Sequence, residues 1–223
     1  MKTLSMEHYQ KDSAFAFING ITFVTELRAT DPGQLETLLK HACFIEANPG
    51  EMVLEAGSRC NRFFFLLRGR LAIYRDAVAP GAELNHITPG QCFGALSIIC
   101  NKERIATVAV SAGTTPALML CLDLSGLRRL GDFSVFSLYT KLALYRSVVS
   151  NTRWQLELYK MDYPDHALSK QARSVEIYIG KRNTLEELQS LERQIHQLTE
   201  MLMLWNEQVG RERESSNMRG NWL

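Results

Sequence analysis

The hydrophobic positions of this chain change period partway along, and the change divides it. Residues 35 to 130 carry short apolar runs separated by turn residues at close, regular spacing. Asn48-Pro49-Gly50 is a turn, and Met52-Val53-Leu54 is a short strand closed at Gly57. Arg62 to Leu67 predicts an aromatic-rich strand buried on both faces, since Phe63, Phe64 and Phe65 leave neither face polar. Arg68-Gly69-Arg70 then turns the chain, and Leu71 to Tyr74 returns as the second arm of a hairpin. Turns at Ala79-Pro80-Gly81-Ala82, Thr88-Pro89-Gly90 and Gly113 bound further strands at Leu84 to Ile87, Thr107 to Val110 and Ala117 to Leu122. Short strands with frequent turns predict an antiparallel barrel or roll. Asp123-Leu124-Ser125 predicts a helix start.

From Ser134 the period becomes 3.6. Val135, Leu138, Leu142, Tyr145, Val149, Thr152, Leu156 and Tyr159 alternate spacings of three and four, forming one seam of a long helix that wants a partner. Pro164 ends that helix, because proline cannot continue the backbone ladder. Asn183-Thr184 offers an N-cap, Glu186 and Glu187 suit the positive end of the helix dipole, and Leu188, Leu191, Ile195, Leu198, Leu202, Trp205 and Val209 repeat the rhythm. This predicts a second helix with a coiled-coil-like seam and a polar tail that frays from Arg211 onward. The apolar stretch Ala14 to Val24 is broken by Asn19-Gly20, too short for a membrane span and without the cationic start of a signal peptide. It reads as a helix or strand packed on the body, and the chain reads as cytoplasmic. The predicted organisation is a helical or irregular lead at 1–34, a β-roll at 35–132, a long helix at 133–160 and a helical extension at 161–223.

Composition narrows the chemistry. With 46% hydrophobic residues, 22% charged residues and a formal net charge of +1, the chain has the balance of a globular protein and no basic excess to hold a polyanion. Cys43, Cys60, Cys92, Cys100 and Cys121 form no C-x-x-C pair and have no histidine at metal spacing, which argues against zinc. They read as reduced, buried, small hydrophobes. His41 and His86 have no carboxylate or nucleophile at informative spacing, so no catalytic residue and no metal ligand set is assigned. What chemistry there is lies in residues 90 to 108. There Phe93-Gly94 opens a turn whose backbone amides are free to face an anion, and Arg104 returns ten residues later, running into Ala106-Thr107-Val108. A guanidinium suits an anion because it stays charged and presents a planar fork of donors.

Four segments together resemble the cyclic-nucleotide-binding domain, the family of the bacterial catabolite activator protein and of the regulatory subunits of cyclic-AMP-dependent kinase. They are Pro49-Gly50-Glu51-Met52-Val53-Leu54-Glu55-Ala56-Gly57, Phe63 to Leu71 through Arg68-Gly69-Arg70, Pro89-Gly90-Gln91-Cys92-Phe93-Gly94, and Arg104-Ile105-Ala106-Thr107-Val108. Glycines at 50, 57, 69, 90 and 94 sit where that family's turns need them. The resemblance implies an α+β fold: an antiparallel, jelly-roll-like β-roll flanked by helices, a long dimerisation helix, and here a C-terminal helix or coiled coil. It implies no cofactor, and cyclic AMP or cyclic GMP as the ligand. In the family, a cassette holds the cyclic phosphate with an arginine and with amides at the start of a short helix. Carried onto this chain, the ligand-binding residues are Phe93, Gly94, Ala95, Leu96, Arg104, Ile105, Ala106 and Thr107, with Ser150 and Asn151 of the long helix reaching the base.

Ala95 departs from the pattern, standing where the family has a glutamate that accepts a hydrogen bond from the ribose hydroxyl. A charge-assisted hydrogen bond contributes on the order of 1.5–3 kcal/mol, so its loss weakens a cyclic nucleotide by roughly tenfold to a hundredfold. The family's activators also end in a winged helix-turn-helix, whereas Leu188 to Val209 is heptad-patterned and Arg182, Arg193, Arg211, Arg213 and Arg219 are scattered among acids. Three readings stay open. The first is a non-enzymatic regulatory sensor that binds a cyclic nucleotide or related phosphate and signals through a homodimer of the 134–160 helix, its C-terminal helix meeting a protein partner. The second is a degenerate β-roll that binds no nucleotide and serves as an interaction scaffold. The third, disfavoured by the C-terminal sequence, is a DNA-binding regulator. Arg104→Ala is expected to abolish any ligand-induced stabilisation and to leave the fold intact.

Overall fold

The computed structural model describes residues 1–5, 14–40, 42–127, 129–171 and 175–220. His41 lies outside the described residues. Strand β1 (Lys2–Ser5) precedes helices α1 (Ala14–Asn19), α2 (Thr22–Thr30) and α3 (Pro32–Lys40). The roll follows: β2 (Cys43–Ala47), β3 (Met52–Leu54), β4 (Arg62–Arg68), β5 (Leu71–Tyr74), β6 (Asn85–Ile87), β7 (Cys92–Phe93), the short helix α4 (Ala95–Ile99), β8 (Thr107–Val110) and β9 (Ala117–Asp123). Three helices complete the chain: α5 (Leu138–Asp162), α6 (Ala167–Gln171) and α7 (Leu185–Gly220).

The strands form two antiparallel sheets, ordered β1-β2-β9-β4-β7 and β3-β8-β5-β6. Alternation along each strand sends Ile45, Phe64, Leu66, Phe93, Val108 and Met119 into the roll. On the other side of the first sheet, Phe44, Phe63, Phe65, Leu120 and Leu122 join Phe23, Leu27, Leu142 and Tyr145 of the helices. β4 is therefore buried on both faces, as its composition predicts. Phe64 stacks on Phe93 at 5.0 Å inside the roll, and Phe65 stacks on Phe23 at 5.5 Å outside it. Gly69 turns β4 into β5 with φ of +91°, and a Cβ there would stand 2.8 Å from the Ala117 Cα. Only glycine combines that left-handed backbone with so close an approach.

Helix α5 begins at Leu138 and not at Ser134, because Ser137 caps it: its hydroxyl accepts the Thr140 N–H at 3.2 Å. Val135, read as the first seam residue, lies outside the helix and is exposed. Asp123-Leu124-Ser125 initiates only a 3₁₀ turn, Ser125–Leu127. Helix α7 starts as its sequence predicts. The Thr184 hydroxyl accepts the Glu187 N–H at 3.2 Å, and the Glu187 carboxylate accepts the Asn183 N–H at 2.7 Å. The helix continues to Gly220, past Arg211, where fraying is expected from the sequence.

The predicted seams find their partner within the chain. Helix α7 lies along α5, burying Leu188, Leu191, Ile195, Leu198, Trp205 and Val209. The α5 residues Leu142, Tyr145, Val149, Thr152, Leu156 and Tyr159 are buried in turn. Trp205 stacks on Tyr159 with ring centroids 5.4 Å apart and planes 3° apart, and His166 and Tyr163 close around it at 4.9 and 6.0 Å. Arg146 ties the arrangement together, donating to Glu26 of α2, to Glu187 at 2.8 Å and to Asn183 at 2.9 Å. The C-terminal helix is thus docked on its own roll. Among the described residues, no helix is long and apolar enough to cross a membrane.

Candidate functional site

The site forms where the β7–α4 turn, the approach to β8 and the inner face of α5 converge. Gly94 is the pivot. Its φ of +86° aims α4 inward, and a Cβ there would press within 3.1 Å of both the Arg104 guanidinium and the Arg62 carbonyl. Arg104 lies beneath that turn and is only 5% exposed. Its Nη1 donates to the Gly94 carbonyl and to the Ser97 hydroxyl (2.7 Å), and its Nη2 donates to the carbonyls of Cys60 (3.0 Å) and Arg62 (2.8 Å). All four Nη hydrogens are thereby engaged, and Nε alone of the five guanidinium donors has no partner. Every acceptor is uncharged. Burial pulls the Arg104 pKa down from its ordinary value, against the opposing influence of the Cys60 thiol.

A cavity of about 100 Å³ adjoins this arginine. Phe93, Gly94, Ala95, Leu96, Arg104, Ile105, Ala106 and Asn151 all line it, so most of the residues singled out from the sequence come together. Two do not. Thr107 accepts the Ala56 N–H at 3.0 Å through its hydroxyl, which pins the loop after β3. Ser150 is exposed and borders a separate cleft with Trp154, Arg146 and Gln91. The helix explains Ser150. The α5 positions that reach the cavity are Val148, the adjacent Asn151 and Thr152, Gln155 and Tyr159, successive turns of one face, and Ser150 falls off that face.

The rest of the lining was not read from the sequence. Leu54, Ile73, Ile87 and Val108 supply apolar wall from the strands, and Leu202 and Asn206 close it from α7. Polar groups around the cavity are mostly satisfied internally: Asn151 donates to the Cys92 carbonyl at 2.8 Å, Gln155 Nε2 to the His86 carbonyl at 3.3 Å, and the Tyr159 hydroxyl to Asn206 Oδ1 at 2.8 Å. Gln155 Oε1 is buried without a partner. Ala95 is 2% exposed, so the position of the family's carboxylate is occupied by a buried methyl group. On the far side of Arg104 and Asn206, an open cleft of about 540 Å³ carries Arg59, Arg75, Lys102, Asp76, Glu103 and Glu207.

The cysteines diverge from the uniform burial read from the sequence: Cys92, Cys100 and Cys121 are buried, Cys43 is intermediate and Cys60 is exposed. Among the described residues, no cluster of histidine, cysteine or carboxylate could hold a metal ion.

Several solved structures are similar to this chain. The cAMP-bound PfPKA-R (141–441) is 22% identical over 66% of this chain and 47% of that one, with a TM-score of 0.46. The regulatory subunit of a cAMP-independent protein kinase A from Trypanosoma cruzi, bound to guanosine, is 15% identical over 70% and 52%, with a TM-score of 0.46. The sensor domain of the transcriptional regulator DNR from Pseudomonas aeruginosa is 19% identical over 74% and 99%, with a TM-score of 0.44. The chain spans about half the length of the first two. No curated protein sequence matches it. Residues 44–132 match the family model of the cyclic nucleotide-binding domain.

Proposed function

We propose that the chain is a non-enzymatic regulatory module in which the C-terminal helix occupies the ground a cyclic nucleotide would need, and which acts through protein contact. The small volume of the cavity beside Arg104 carries this reading. A 150 Å³ apolar cavity accommodates benzene, so about 100 Å³ holds roughly four non-hydrogen atoms, against about twenty in a cyclic nucleotide. Admitting one would require the covering part of α7 to lift. That would expose Leu198, Trp205 and Val209, each at most 1% exposed, at about 1.5–3 kcal/mol apiece. The sum, about 5–9 kcal/mol, is comparable with the roughly 8 kcal/mol that a micromolar ligand supplies. The absence of a carboxylate at Ala95 weakens the nucleotide further. A homodimer of this chain would use the opposite face of α5, where Tyr139, Trp154 and Met161 are exposed.

A second reading is favoured by Arg104, a buried cation without a carboxylate: a cyclic nucleotide displaces α7 and the freed helix is the signal. Calorimetric titration of the chain with cyclic AMP and cyclic GMP separates the two. The closed-helix reading expects no heat up to millimolar ligand. Micromolar binding that is lost in Arg104→Lys would establish the second reading in its place.

A further inference from the structure

We propose that Cys43 and Cys121 are a thiol pair that a hydroperoxide oxidises to a cross-strand disulfide, a covalent modification site separate from the cavity. The pairing register carries it. Cys43 stands directly opposite Cys121 where β2 runs antiparallel to β9. Residues so opposed project from the same face, and here that face is the interior of the roll: Cys121 belongs to its apolar cluster and Cys43 packs against it. Opposed Cα atoms lie about 4.5–5.5 Å apart in either kind of antiparallel pair, inside the roughly 4.4–6.8 Å that a disulfide spans. The side chains agree, since the Cys43 sulfur lies within hydrogen-bonding reach of the Cys121 sulfur. Cys60, exposed on the loop before β4, is a third sulfur near Cys121 and the competitor for it.

The two sulfurs differ in access, and the difference assigns the order of reaction. Cys43 is half-buried and Cys121 is buried. Burial first, then the neighbouring Cys43, pushes the Cys121 thiol up to about 12. Cys43 therefore meets the oxidant. Its thiolate attacks one peroxide oxygen, the O–O bond breaks, and the departing alkoxide takes up the proton that Cys43 gave up, leaving a sulfenic acid and an alcohol. The Cys121 sulfur then attacks the Cys43 sulfur: the S–S bond forms, the S–O bond breaks, and hydroxide leaves with the Cys121 proton as water. Two thiols lose two hydrogens, and the hydroperoxide is reduced to alcohol and water. The fixed position of Cys121 beside its target offsets its small thiolate fraction. Opposed Cβ atoms sit about 4.5–5.5 Å apart in a sheet, against roughly 3.5–4.5 Å across a relaxed disulfide. The bond thus closes under strain, which keeps it open to reduction and makes the modification reversible.

The test is mass spectrometry of the whole folded chain treated with hydrogen peroxide, its remaining thiols blocked with maleimide in denaturant and the chain digested without reduction, beside thermal unfolding of the same samples. The expected product is a Cys43–Cys121 peptide pair lighter by two hydrogens, formed equally in Cys60→Ser and absent in Cys43→Ala. Closing a loop of about 80 residues should raise Tm by about 4–16 °C in the wild type and in Cys60→Ser alike. Dithiothreitol should reverse the rise, and Cys43→Ala should show none. A disulfide joining Cys60 to either sulfur would overturn the pairing. So would Cys43 recovered as sulfinic acid with Cys121 still a free thiol, because a sulfenic acid beside a competent thiol condenses with it before a second oxidation. A Cys43–Cys121 pair without a rise in Tm would place the bond in the unfolded chain and overturn the proposal as well.

Discussion

Trp205→Ala tests whether α7 is docked on its own roll. Trp205 is 1% exposed and packs against Tyr159, Tyr163 and His166. Truncating a buried tryptophan costs about 3–5 kcal/mol, and the parallel stack on Tyr159 adds about 0.5–1.5 kcal/mol beyond area. A total of about 4–6 kcal/mol is a large share of the 5–15 kcal/mol that separates folded from unfolded protein. For a chain of this length each kcal/mol moves Tm by about 2–4 °C, so a fall of about 8–24 °C is expected. The assay is thermal unfolding followed by circular dichroism at several protein concentrations. Because the contact is made within one chain, both the wild-type Tm and the size of the fall should be independent of concentration. A fall below about 3 °C, or one that grows as the protein is diluted, would refute the docking argument and return α7 to an intermolecular coiled coil.

Arg104→Ala, expected from the sequence to leave the fold intact, should instead lower stability by about 2–4 kcal/mol in urea unfolding, because three buried carbonyls and the Ser97 hydroxyl lose their donor. Gly69→Ala forces a left-handed alanine against Ala117 and should cost about 2–5 kcal/mol by the same measurement, whereas Gly33→Ala, whose Cβ meets nothing within 4 Å, should not. Burial pushes the thiols of Cys92 and Cys121 up to about 12, so maleimide labelling at pH 7 followed by mass spectrometry should modify Cys60 first and those two only after unfolding. Burial, with the Arg70 charge nearby, holds the His86 pKa below its ordinary value. Folding then disfavours its protonated form, and the associated stability is present above the ordinary histidine range and lost as pH falls through that range toward the folded value. Tm should therefore drop between pH 7.5 and 5 by more in the wild type than in His86→Gln.

The roll was legible because its punctuation is local. Gly50, Gly57, Gly69, Gly90 and Gly94 all adopt positive φ, and each stands at the turn where its sequence context placed it. Gly94 and Arg104 were legible as neighbours because they lie ten residues apart, whereas the Arg104 bonds to the Cys60 and Arg62 carbonyls, more than forty residues away, were not. Helix α7 was legible as a helix, but not its place, because a heptad seam specifies an apolar stripe and leaves open whose stripe it meets. A hint existed in the polar residues beside that stripe: Gln194, Thr199 and Asn206 are buried and bond to Arg153, Cys100 and Tyr159, contacts suited to one irregular partner surface. Ser150 was misplaced because helix phase, about 100° per residue, separates it from its neighbour Asn151. The closure of the cavity depended on Leu202 and Asn206, more than ninety residues from Arg104, and no local pattern reports a contact across that interval.

The docking of α7 also sets an order of events during synthesis. The last strand of the roll ends at Asp123, but the helix that covers its flank is complete only when Val209 has been made. At about 5–20 residues per second, roughly 4 to 17 s separate the two. Throughout that interval the nascent roll holds Cys100 without the Thr199 hydroxyl that meets it, and Arg104 beside a cavity that still lacks Leu202 and Asn206. For several seconds, therefore, the emerging chain has its roll but not the α7 contacts that complete the finished protein.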